Sequence, residues 1–322
     1  MIAMRQVARL FGKARSSQRT YVTYFDSAYA ARGIVMLYSL LRCDPAARIF
    51  VLALDAMVQR ITRDLMPSAV TVITPSELYR DDPEVATKRD RSPWEFYATQ
   101  KPALARFALE TGAKSVISID ADTQFFSRTE PMFSEIGGAS VAITPHRFHP
   151  ATARLAIYGP FNAGCVYWRN DAVGRRCVAD WRADCLDWCY ETVKPDGRYM
   201  NQGYLTQWPA RYPNLRIIAH PGVNLAPWNL DGHSLGVHRD QILVDGVSLI
   251  FFHFSGLFRD DTGRWYTYSL IDQNFDVALR SIYQPYLSAL EEAETLLMRE
   301  YGLSGIGSQR HREFGPGDTV LN

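Results

Sequence analysis

The chain has 322 residues, 47% of them apolar and 21% charged, with a formal net charge of +1. That length fits one large α/β unit with added elements better than two enzymes. The charge balance excludes the broad basic footprint of a nucleic-acid binder, and no stretch approaches the roughly 18 uncharged apolar residues of a membrane helix.

In chain order, the first 19 residues carry Arg5, Arg9, Lys13, Arg15 and Arg19 and no acid, with Val7, Leu10, Phe11 and Ala14 at helical spacing. Two readings of this segment stay open. One is a basic amphipathic helix resting on an anionic membrane surface, a peripheral contact on the inner face. The other is a terminal helix frayed or docked on its own domain. It lacks the apolar core of a secretory signal. Tyr21–Phe25 then reads as a buried strand and Ala28–Leu41 as a helix, with Ile34, Leu37, Tyr38 and Leu41 on one face. Ile49–Leu54 and Val70–Ile73 follow as strands, and a long helix runs from near Pro93 to about Glu110. Ser115–Ile119, Ser140–Thr144 and Cys165–Trp168 are further strands, Asp171–Glu191 a helix rich in Trp and Cys, and Ser248–Phe254 a late apolar strand. Leu270–Arg299 is mostly helical with a break at Pro285, and residues 302–322, with five glycines, read as a mobile tail. Strands alternating with helices over residues 20–301 predict one α/β domain with a mostly parallel sheet. The five cysteines, odd in number and without a C-x-x-C pair, read as buried packing thiols in a reducing cytoplasm.

Ligands of open α/β sheets collect at the C-terminal ends of strands, which singles out Asp26, Tyr29, Asp55, Asp120, Asp122 and His253. Asp120-Ala121-Asp122 follows an apolar strand and precedes Thr123-Gln124-Phe125-Phe126. Two carboxylates two residues apart on extended chain point to one side and repel unless a cation lies between them. A divalent metal bridging them to a pyrophosphate meets that need. His253 stands on an apolar strand where a core histidine is the plain alternative, but Gly256 and Arg259 follow it. Glycine lets backbone approach a phosphate and arginine neutralises it, and a carboxylate-plus-imidazole set suits Mn²⁺ somewhat better than Mg²⁺.

Asp120-x-Asp122, Asn162-Ala163-Gly164 and His253-x-x-Gly256-x-x-Arg259 together resemble glycosyltransferase family 8, whose last motif ends in Lys where this chain has Arg259. Phe96 to Pro102, Thr144 to Phe148 and Asn224 to Asn229 resemble segments of bacterial GT-A nucleotide-diphospho-sugar transferases. The resemblance implies a GT-A fold, a UDP-sugar donor, a glycan or lipid-linked acceptor and retention of anomeric configuration. It implies that Tyr24, Asp26 and Tyr29 lie by the nucleobase. It places Asp122 and His253 on the metal, with Asp120 on the ribose or on the metal through water. Lys101, Gly256 and Arg259 serve the ribose-diphosphate, and Asn162 and Ala163 face the donor sugar. Asn201-Gln202 stands where such proteins usually have Asp-Gln, and an amide can donate where a carboxylate only accepts. Asn201 also reads as a helix N-cap.

His146 and Arg147 are placed on the same rim, and His220, His233 and His238 on loops. Trp181, Trp188 and Trp208 are read as core, while Trp228 is open between a sugar platform and packing. Asp196 and Asp231 are the candidate bases if the reaction inverts. A nucleotidyltransferase would need a glycine-rich basic loop near the first strand, and Thr23–Gly33 has one glycine and one arginine. A degenerate GT-A domain binding nucleotide-sugar or glycan is the non-enzymatic alternative.

Overall fold

Short runs of Val, Ile and Phe, apolar on both faces, can be covered only inside a sheet flanked by helices. In the computed structural model, which describes residues 19–267, 272–304 and 319–321, they do so. β1 (Thr20–Phe25), β2 (Arg48–Ala53), β3 (Val70–Ile73) and β4 (Ser115–Ile119) run parallel in the order β3-β2-β1-β4. A tight turn after β4 leads into β5 (Thr123–Phe125), which leaves this sheet. β6 (Val141–Pro145), β7 (Phe161–Arg169) and β8 (Leu215–Ile217) complete the order β4-β7-β6-β8, with β7 antiparallel to both neighbours. The central sheet is therefore a mixed, seven-stranded one.

Five long helices are α1 (Ala30–Cys43), α2 (Ala56–Leu65), α3 (Pro93–Glu110), α4 (Ala172–Asp187) and α5 (Gln284–Tyr301). Their starts are written in the sequence. Asp55 accepts from Val58 N at 2.8 Å to cap α2, and Ser92 with Glu95 closes a capping box on α3. α3 packs on β1, β4 and α4, and α1 packs on β5 and α5. The chain steps outward from β1 to β2 and β3, then returns through α3 to β4 on the other side of β1. That reversal opens a crevice beyond the C-terminal ends of β1 and β4, where such sheets bind ligands.

Three expectations change. The single late strand is divided. After β9 (Leu235–His238) and β10 (Gln241–Val244), β11 (Val247–Ser248) pairs with β10, whereas β12 (Phe251–His253) pairs with β5. Leu249 N still bonds Ile242 O, but Ile250 N turns to Gly222 O, so the run changes partners midway. The Trp- and Cys-rich helix ends at Asp187 because Trp188 is extended and Tyr204 Oη donates to the carbonyls of Asp184 and Trp188 at 3.0 and 2.7 Å. At Pro285 the expected interruption takes the form of a π turn: α-helix over Phe275–Ala278 gives way to Leu279–Tyr283 directly before the proline, which removes an N–H, and α5 follows.

β13 (Phe258–Arg259), β14 (Trp265–Thr267) and β15 (Thr319–Val320) form a separate small sheet, so the end of the expected tail is a strand. The rest of the tail from residue 305, and the basic segment up to residue 18, lie outside the described residues. Arg19 pairs with Asp44 at 3.1 Å and Glu130 at 3.2 Å. All five cysteines are buried and none is in a disulfide. No helix among the described residues is long and apolar enough to cross a membrane.

Candidate active site

The turn after β4 puts Asp120 and Asp122 at the crevice. Asp120 N donates to Gly164 O at 3.0 Å and Thr123 Oγ1 to Asp120 O at 3.0 Å, which pins the turn to β7 and to itself. β5 then pairs with β12 so that Thr123 faces His253, and Phe254 N donates to Asp122 O at 2.8 Å. The two short strands thus carry His253 to Asp122, with Nε2 and Oδ1 at 3.1 Å. One ligand atom each from Asp120, Asp122 and His253 lies within 4.8 Å of the others. The cluster is mostly shielded from solvent: the Asp120 side chain is 27% exposed, Asp122 15% and His253 5%.

Electrostatics follow from that geometry. Burial works against the charged form of both partners, yet each stabilises the other. The His253 imidazole is held above its ordinary range by Asp122, and the Asp122 carboxyl is held well below its own by His253 and then Arg32. Two carboxylates and an imidazole nitrogen converging at this spacing are a donor set that a divalent cation completes.

Gly164 explains why Asn162-Ala163-Gly164 has its small last residue. A Cβ there would stand 2.6 Å from His253 Cε1 and 2.5 Å from Asn162 Oδ1. Asn162 is part of a buried polar chain. Its Oδ1 accepts from Gly164 N at 2.8 Å and from Asn224 Nδ2 at 3.1 Å, and its Nδ2 donates to Gln202 Oε1 at 3.0 Å. Gln202 Oε1 also accepts from Ala163 N at 3.2 Å, and its Nε2 donates to Tyr158 O at 3.0 Å. Asn201 turns the other way: its Nδ2 donates to Ala98 O at 3.0 Å, and its carbonyl accepts from Trp181 Nε1 at 2.7 Å. The helix expected here is a 3-10 segment, Gly203–Gln207, with no side-chain cap.

The cations separate into three environments. Lys101, buried on α3, pairs with Asp120 and donates to Ala163 O at 2.9 Å. Arg32, fully buried in the first turn of α1, donates to Leu257 O at 2.7 Å and acts electrostatically on Asp122. No carboxylate among the described residues lies within ion-pair distance of it. A cation in the first turn opposes the helix dipole, so Arg32 answers to something other than helix stability. Arg259 follows the positive-φ Gly256 turn as expected, but its guanidinium is held by Glu294 at 3.2 and 3.3 Å and lies 4.9 Å from the Trp265 ring centre.

At the open end, Asp26 Oδ1 accepts from Tyr29 N at 3.1 Å and Oδ2 from Tyr97 Oη at 3.1 Å. Trp94, 38% exposed, sets its ring edge-on to Tyr29 at 5.5 Å and to Tyr97 at 6.3 Å. Burial, then Asp120, pushes the Tyr24 phenol well up, and Lys101 Nζ stands 5.8 Å from its ring centre.

Other expectations resolve as structure. Trp228 is buried edge-on to His146 and His253, each at 5.3 Å, as packing. His146 is buried, and burial holds its pKa down at about 3. Arg147 donates to the carbonyls of Ile218, His220, Pro221 and Val223 and so ties a loop. Asp231 accepts from Asp272 N and Asn274 N, and Asp196 pairs with Arg198. Sequence reasoning gave Arg32 and Trp94 no part in the crevice, and named Thr144 and Asn224 only as the heads of segments resembling bacterial GT-A proteins. A basic residue in the first turn of an apolar helix was the readable signal for Arg32.

No family model matches the chain. It is 29% identical over 270 residues to the uncharacterized protein YfnD of Bacillus subtilis, covering 80% of this chain and 83% of that one. It is 25% identical over 246 residues to the uncharacterized YfnF of the same organism, covering 73% and 80%. Among solved structures it superposes on the galactosyltransferase LgtC, determined with donor and acceptor sugar analogs, with a TM-score of 0.51 and 16% identity over 85% of this chain and 95% of that one. At that identity the likeness is one of architecture, and with the order and directions of the strands it gives the chain a GT-A fold.

Proposed function

We propose that the chain is a metal-dependent glycosyltransferase that moves a hexose from a UDP-sugar to a glycan or lipid-linked acceptor, with retention of configuration. The observation that carries this reading is the convergence of Asp120, Asp122 and His253 within 4.8 Å at the sheet's switch point. The fold shared with a galactosyltransferase supports it. Mn²⁺ or Mg²⁺, when bound, would offset the negative charge that develops on the departing diphosphate.

The chain's own residues prepare for that charge. Lys101 neutralises Asp120 and holds it against the Ala163 carbonyl. Arg32 and Arg259 flank the Gly256 loop, and both serve the diphosphate in this reading. Asp26, Tyr29 and Tyr24 receive the nucleobase, with Trp94 at its edge. Asn162, Ala163 and Gln202 form the floor under the donor sugar, beside Asn201. Asp120 holds the ribose, directly or through the metal.

Titration of UDP with Mn²⁺ present and with a chelator tests the reading, followed by a screen of UDP-sugars for hydrolysis. Binding should need the metal and fall at least 100-fold in Asp122→Ala, the loss of a charged ligand. Equal affinity with and without metal would sink it.

A further inference from the structure

Two backbone N–H groups settle the orientation of a chain of side-chain amides behind the acid cluster. Gly164 N donates to Asn162 Oδ1 at 2.8 Å, and Ala163 N to Gln202 Oε1 at 3.2 Å. A backbone N–H only donates, so both receiving atoms are oxygens. Asn162 Nδ2 then points at Gln202 Oε1 at 3.0 Å. Asn224 Nδ2 points at Asn162 Oδ1 at 3.1 Å and at Thr144 Oγ1 at 2.9 Å. Both hydrogens of the Asn224 amide are directed at oxygens, and its own Oδ1 is left facing His253 Nδ1 at 3.2 Å. A carbonyl oxygen there calls for an N–H, so Nδ1 of His253 carries a proton, which leaves Nε2, 3.1 Å from Asp122 Oδ1, as the ring nitrogen a cation would bind.

We infer that Asn224 is a positioning residue for the acid cluster: it fixes His253 in the tautomer whose Nε2 is open to a divalent cation. The local fold supports that task. Asn224 is fully buried and has φ 57, a left-handed conformation that Asn tolerates better than most residues. The next residue accepts from His253 N through its carbonyl, Leu225 O, at 2.8 Å, so the turn is bonded to the strand that carries the histidine. Trp228 closes another side of the ring, edge-on at 5.3 Å. Imidazole ligands to metals are commonly held this way through the ring nitrogen that does not bind the metal.

The inference rests on the metal reading above, and Mn²⁺ alone, titrated into the full chain by calorimetry, separates the two. Asn224→Gly keeps the positive φ and removes the amide, while Asn224→Asp keeps an acceptor for Nδ1. Asn224→Gly should bind Mn²⁺ about 10- to 100-fold more weakly, and Asn224→Asp should lose less, since it keeps the acceptor for Nδ1 although it gives up the bonds to Asn162 and Thr144. Nitrogen NMR of the Mg²⁺-saturated wild type should show the His253 proton on Nδ1. Wild-type affinity in Asn224→Gly beside a weakened His253→Ala would overturn the role of Asn224 alone. So would a proton found on Nε2, or an equal loss in both Asn224 variants. Unchanged Mn²⁺ binding in His253→Ala would overturn the metal reading and this inference together.

Discussion

At the acid end of the crevice, Asp122, His253, Asn224, Asn162 and Gln202 touch one another in an unbroken hydrogen-bonded series. At the mouth, Asp26, Tyr29, Trp94 and Tyr97 meet through ring edges and one phenol bond, and Trp94 is left partly in solvent. The first region has no slack, because each buried polar atom must find its partner. The second can shift its rings at small cost. A deep site that needs atomic placement and a shallow one that needs area are thus assembled from different materials on the same sheet.

The rigidity of the deep end can be broken with one methyl group. Gly164→Ala should cost about 1–3 kcal/mol of stability through overpacking and weaken Mn²⁺ binding roughly 10- to 100-fold by displacing His253. Thermal unfolding and metal titration measure both, and a variant that binds Mn²⁺ normally would show that this wall gives more than its contacts suggest. Next in size is a contrast between two cations. Arg32→Leu should weaken UDP by about 10- to 100-fold and spare uridine, since a buried hydrogen bond to a charged group is worth about 1.5–3 kcal/mol. Arg259→Ala should cost only about two- to fivefold, since a half-exposed arginine already paired with Glu294 has less to give. Calorimetry with UDP and with uridine distinguishes them, and a reversed order would move the diphosphate to the Arg259 side. The smallest effect belongs to the mouth. Trp94→Ala should lower uridine and UDP affinity alike by about 1 kcal/mol, roughly fivefold, with Mn²⁺ binding untouched. An effect on Mn²⁺ would mean that the two regions are coupled after all.

What the sequence made readable follows the same division. The parallel strands β1 to β4 are continuous apolar runs, and their ends hand over Asp26, Asp120 and Asp122 directly. His253 was legible for the same reason. Asn224 was legible only as the head of a segment resembling GT-A proteins, with no role attached, because an asparagine in a loop sequence is ordinarily a solvated turn residue. Its partners Thr144, Asn162 and His253 come from three separate segments. The run from Ser248 to Phe254 shows why periodicity stops short. It is uniformly apolar, and nothing local tells that its first half belongs to one sheet and its second to another. Asn201-Gln202 was found by resemblance to a motif. Only packing against α3 and β7 reveals that the two amides face opposite ways.

The five cysteines carry a practical consequence. Every one is buried, and burial raises the thiol pKa of Cys43, Cys165, Cys177 and Cys185; a hydrogen bond with Cys185 lowers that of Cys189, which is fully buried all the same. A maleimide reagent reaches thiolates at the surface, so the native fold is nearly silent toward it. A single cysteine placed at Ile157, which is 58% exposed and next to the Tyr158 carbonyl that holds Gln202, would take up a fluorophore alone. The unmodified scaffold is then ready to report movements beside Gln202 by fluorescence without first removing any of its own thiols.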